Sequence, residues 1–63
     1  MRHIIFVKGL DSEEKAQRIS ETLDETRLKY TVSVISSSVT VEGSNDSVYT
    51  AKQAIMQAGF MVQ

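Results

Sequence analysis

The stretch from Ile4 to Glu14 constrains this chain more than any other, because two incompatible side-chain periodicities meet in it. Ile4-Ile5-Phe6-Val7 is β-branched and aromatic, and Gly9 ends the run, so Arg2 to Lys8 reads as a strand that is apolar on both faces. Asp11 then precedes Ser12-Glu13-Glu14, the chemistry of a helix start. Either Asp11 caps the helix, with Glu14 reaching back in a capping box, or Ser12 is the cap. Ala16, Ile19 and Leu23 follow as one apolar stripe among Glu, Lys, Arg and Gln, which predicts a helix over Ser12–Thr26.

The remainder repeats the alternation. Tyr30-Thr31-Val32-Ser33-Val34-Ile35 alternates, with Tyr30, Val32 and Val34 on one face. Ser36-Ser37-Ser38 interrupts it and Val39-Thr40-Val41-Glu42 resumes, which reads as a hairpin. Gly43-Ser44-Asn45-Asp46-Ser47 is turn and cap chemistry. Val48, Ala51, Ile55 and Ala58 form a second helical stripe, so a helix is predicted over Asp46–Ala58, with Gly59 as its C′ residue. Phe60-Met61-Val62 is a last short strand. The order is βαββαβ, an α+β pattern that packs as a four-stranded antiparallel sheet with both helices on one face. No proline or linker divides residues 1–63, so one domain is expected.

Composition removes several function classes. With no cysteine, neither disulfides nor thiolate metal ligands are available. A net charge of −1 gives no general field for nucleic acid or an anionic membrane. No apolar run approaches a membrane span or a signal peptide, so a cytoplasmic protein is expected.

Gly9-Leu10 through Ile19 and Leu23, Val39-Thr40-Val41-Glu42-Gly43, and Ala54-Ile55 to Ala58-Gly59-Phe60 together resemble the heavy-metal-associated domain. That is the ferredoxin-like module of copper chaperones and copper-transporting ATPases, and the likeness spans nearly the whole chain. The family's opening motif is glycine, methionine, any residue, then two cysteines separated by two residues. Gly9 and Ile19 keep their places, Leu10 stands for the inward-packing methionine, and Ser12 and Lys15 stand where the cysteines belong. Ala58-Gly59-Phe60 matches the family's small-glycine-aromatic ending, whose aromatic lies near the metal loop. No Pro-Gly precedes the second strand, and the hairpin is short. The resemblance implies the fold, while the chemistry denies the cargo. Copper(I) wants soft donors, a serine hydroxyl is hard and neutral, and a lysine ammonium has no lone pair at neutral pH.

Other residues offer weaker sites. Asp11, Glu13 and Glu14 form a carboxylate cluster that a hard divalent cation could use, which keeps a carrier or sensor of metal ions as an alternative. Their ordinary role is to stabilise the first helical turn. His3, the only histidine, belongs at the far end of the first strand. Met1, Met56 and Met61 are too scattered for a soft-metal site. No nucleophile–base set or paired carboxylates suggest catalysis, so no enzyme and no cofactor are expected. Ile5-Phe6-Val7-Lys8-Gly9-Leu10 is also similar to the first-strand hexamer of RNA-recognition-motif domains, where the aromatic stacks a base. Ser38-Val39-Thr40-Val41-Glu42 lacks that family's basic and aromatic partner motif, so RNA binding is the remote alternative.

Strand parity and helical stripes predict a core of Ile5, Val7, Ala16, Ile19, Leu23, Val32, Val34, Val39, Val41, Val48, Ala51, Ile55, Phe60 and Val62. The same parity turns Ile4, Phe6, Met61 and Ile35 to the uncovered face of the sheet. A contiguous apolar patch there would be a contact surface for a protein partner or a second copy. The expected function is a non-enzymatic protein-binding module of heavy-metal-associated type without the metal ligands.

Overall fold

A computed structural model describes all residues from Met1 to Gln63. The chain forms β1 (Arg2–Lys8), α1 (Glu13–Asp24), β2 (Lys29–Ser33), β3 (Ser38–Glu42), α2 (Asn45–Gln57) and β4 (Met61–Val62). One antiparallel sheet in the order β2-β3-β1-β4 carries both helices on one face, the ferredoxin-like sandwich. No helix is long and apolar enough to cross a membrane.

Register explains the core. Ile5 pairs with Val39, Val7 with Val62, and Val32 with Val39, which puts these side chains toward the helices. Ile5, Val7, Val39 and Val41 meet Ala16, Ile19 and Leu23 of α1 and Ala51 and Ile55 of α2, with Phe60 closing one end. Leu10 and Ala54 join this core, although strand and helix periodicity did not select them. Val32, Val34, Val48 and Val62, placed in the core by parity, are only half-buried and pack against its edge. β2 and β4 are the two edge strands, so their inward residues have neighbours on one side only.

Both helices end by identifiable chemistry. α1 stops at Asp24, before the expected Thr26. The Thr26 and Arg27 N–H groups turn back to the Leu23 and Asp24 carbonyls, and Arg27 takes a left-handed φ of 62°. α2 starts at Asn45, one residue earlier than Asp46, because Ser44 is extended and its carbonyl accepts the Val48 N–H. Its C-terminus is a Schellman motif: Gly59 at φ 95° donates to Met56 O and Phe60 donates to Ile55 O. That reversal swings Phe60 into the core.

The hairpin corrects one expectation. β2 ends at Ser33, so Val34 and Ile35 lie in the turn rather than in the strand, and Ser38 becomes the first residue of β3. The turn is held from outside, because Val7 N–H donates to Ser37 O and Ser37 Oγ donates to Leu10 O, both at 2.8 Å.

Candidate functional site

The β1–α1 loop is built by a glycine, a buried anchor and a cap. Gly9 turns the chain at φ 83°, which an L side chain adopts at a cost. Leu10 then plunges fully into the core, as the resemblance implied for the residue replacing methionine. Ser12 is extended and its Oγ accepts the Lys15 N–H at 3.3 Å, so Ser12, not Asp11, is the N-cap. Asp11 instead accepts from Lys15 Nζ at 2.8 Å. That hydrogen bond, and then the lysine charge, hold the Asp11 carboxyl below the usual carboxylate range. It is the molecule's single salt bridge.

The acidic residues of the turn do not converge. Asp11 is occupied by Lys15, whereas Glu13 and Glu14 line a different concavity of about 660 Å³, between α1 and edge strand β2. Nowhere do three His, Asp or Glu side chains gather in a way that could hold a metal ion. Ser12 and Lys15 do sit together at the start of α1, but Ser12 Oγ is taken up as the cap on the Lys15 N–H and the Lys15 ammonium is paired with Asp11. The residues present do not fit a soft or a hard cation. His3 lies at the opposite end of β1, its Nε2 3.1 Å from Gly43 O.

On the other side of the loop lies a groove of about 510 Å³. Lys8, Lys15 and Arg18 supply its charge, and Gly59, Phe60 and Met61 form much of the rest. Lys8 and Arg18 were not singled out from the sequence. The three-residue interval from Lys15 to Arg18 places both on one helix face, but only the turn at Gly9 brings Lys8 beside them.

The uncovered sheet face is the second candidate surface. Ile4, Phe6 and Met61 are 61%, 51% and 67% exposed there. Met61 stands opposite Lys8, diagonal to Phe6, so the three form a stripe across β1 and β4. Phe6 stands opposite Ser38, which is buried on this open face and bonded through Oγ to Ser36 Oγ at 2.7 Å. Ile35 does not belong to the stripe. It is fully exposed at the hairpin tip, because the turn begins at Val34. Arg2, Lys29 and Lys8 share the face with one acid, Glu42, and Phe6 is its sole aromatic residue.

No family model matches the sequence, and no curated protein matches it. Solved structures do. The heavy metal binding protein TM0320 from Thermotoga maritima superposes with a TM-score of 0.86 at 28% identity, over 100% of this chain and 92% of that one. A structure described as the CopZ metallochaperone gives a TM-score of 0.84 at 19% identity, over 100% of both chains. The fold is of the heavy-metal-associated type. The likeness to CopZ is one of fold alone, and the heavy-metal-associated-type scaffold here contains no cysteine.

Proposed function

We propose that this chain is a non-enzymatic protein-contact module on a heavy-metal-associated-type scaffold, working in the cytoplasm, with the uncovered sheet face as its contact surface. One observation carries the reading: Ile4, Phe6 and, diagonal to Phe6, Met61 form an exposed apolar stripe on the face that no helix covers. Large apolar side chains grouped on an otherwise polar face mark contact surfaces in soluble proteins. The metal-carrier reading draws support from the likeness to the heavy metal binding protein of Thermotoga maritima. It is opposed by the replacement of both expected thiolate positions and by the absence of any three carboxylate or imidazole side chains grouped to hold a metal ion.

The test is sedimentation equilibrium with amide shifts followed over protein concentration, for the parent and for a Phe6→Ser variant. Self-association localised to β1 and β4, and weakened by Phe6→Ser, is the expected homodimer result. A concentration-independent monomer with unchanged shifts removes the second copy as partner and leaves a different protein. For the metal reading, copper(I) and zinc are added to the parent and to the Ser12→Cys, Lys15→Cys double variant. The double variant is expected to bind and the parent is not, because only the variant supplies two thiolates from the start of the helix. Saturable binding by the parent below about 1 mM metal would overturn the proposal.

A further inference from the structure

The groove between the β1–α1 loop and the α2–β4 turn has the sign of charge opposite to that of a cation site. Three cationic side chains line it, Lys8 from the end of β1 and Lys15 and Arg18 from successive turns of α1, and no acidic side chain does. The chain as a whole carries a net charge of −1, so this concentration of positive charge is local. Lys8 and Arg18 form no ion pair, and Lys15 alone is engaged, by Asp11. The groove walls include Gly9 and Gly59, and a Cβ built at either would meet nothing within 4 Å. Their positive φ values explain the glycines, and bare backbone faces open space there. Phe60 and Met61 add apolar surface beside the charges.

We infer that this groove is a binding site for a small phosphate-class anion, formed where the metal loop of a heavy-metal-associated domain would lie. A volume of about 510 Å³ falls in the range of small-molecule sites rather than extended interfaces. Cationic side chains from two elements lining one groove suit an oxyanion with several acceptor oxygens, and the guanidinium of Arg18 offers a fork to two of them. An acidic peptide would also satisfy the charges. A single concavity flanked by two bare glycines favours a compact ligand over an extended chain.

The experiment is an amide-shift titration of the full chain with inorganic pyrophosphate, in low salt, on a Phe6→Ser background so that self-association cannot mimic binding. Saturable shifts at Gly9, Lys15, Arg18 and Gly59 with a Kd of about 1 mM or tighter are expected. Replacing Lys8 and Arg18 by alanine should weaken binding about tenfold or more, and both side chains are exposed, so the fold should survive. Asp11→Asn supplies the independent check. It releases Lys15 without touching the Ser12 cap, so pyrophosphate should bind about two- to threefold more tightly. Shifts that fail to saturate by about 10 mM, or that ignore all three replacements, overturn the proposal. Saturation by an oligoglutamate peptide without response to pyrophosphate also overturns it, and gives the groove to a protein ligand.

Discussion

Ile4 and Ile5 are the same residue at adjacent positions of one strand, yet the sheet gives them opposite fates. Ile5 is 3% exposed beneath the helices and Ile4 is 61% exposed on the bare face. β1 alternates in this way along its length, with Ile5 and Val7 buried and Ile4 and Phe6 open. On the covered face, inward parity is matched by a stripe on each helix, so every apolar group finds partners. On the open face, apolar parity continues on β1 and β4 without anything to meet it. The flanking residues there include Thr31, Thr40 and Ser33, polar side chains suited to a solvated sheet. The contrast shows that hydrophobicity in β1 exceeds what folding uses. Ile4 and Phe6 are surplus to the core, and surplus apolar surface on a rigid sheet is available for contact.

The contrast is broken most directly by truncating the buried member of the pair. Ile5→Ala removes a side chain packed against Val39 and the helix stripes and is expected to cost about 3 kcal/mol. In a domain this small that is a large part of the total stability. Chemical denaturation should show a lower midpoint with an unchanged slope. A loss below about 1 kcal/mol would mean that the core does not depend on this face of β1.

That much was legible from alternation alone, and the exceptions have physical causes. The element order and most of the core follow from periodicity, because the covered face imposes it on every strand and helix. Leu10 lies in a loop, where no period applies, and only the family resemblance pointed inward. Ala54 sits beside Ile55 on a helix whose buried stripe is wider than one residue per turn. Ser38 is polar and stands in a serine run, so burial opposite Phe6 left no sequence mark. Ile35 follows strand parity in the sequence, but β2 ends at Ser33 and the hairpin turn that follows is tied to Val7 and Leu10 through Ser37, contacts that local alternation does not reveal. At the candidate site, Ser12 and Lys15 were found by alignment. Lys8 and Arg18 needed the three-dimensional turn at Gly9.

A smaller effect tests the rim of the covered face. Tyr30, on edge strand β2, shares its hydroxyl proton between Ser20 O, at 3.1 Å, and the Asp24 carboxylate, fastening β2 to α1. Tyr30→Phe keeps the ring and loses these bonds, an expected cost of about 1 kcal/mol, read by thermal unfolding. Burial, and then the bond to Asp24, raise the Tyr30 pKa above the ordinary phenol value. The protonated form is therefore favoured in the folded state. Its contribution is fully present below about pH 10 and is lost as pH rises through the raised folded value. The parent should lose its advantage over Tyr30→Phe on that alkaline side. A difference between the two proteins that stays constant across the window would remove the fastening role.

The smallest expected effect is the sharpest, because it concerns the exposed twin. Ile4→Ala should change stability by less than about 1 kcal/mol, and what it does cost reflects strand preference and the cross-strand contact with Thr40 rather than burial. Ile4→Thr isolates the point. Threonine keeps the β-branch that suits a strand but shortens the apolar reach, so stability should stay within about 0.5 kcal/mol of the parent. Contact through the open face should weaken at the same time, since Ile4 adjoins Phe6 on that face. If the Ile4→Thr variant unfolds as easily as Ile5→Ala, Ile4 is already covered within the monomer or its resting assembly. If it associates like the parent, the contact lies nearer Met61, at the β4 end of the stripe. The neutral midpoint combined with weaker association is the result that assigns Ile4 to a partner rather than to the core.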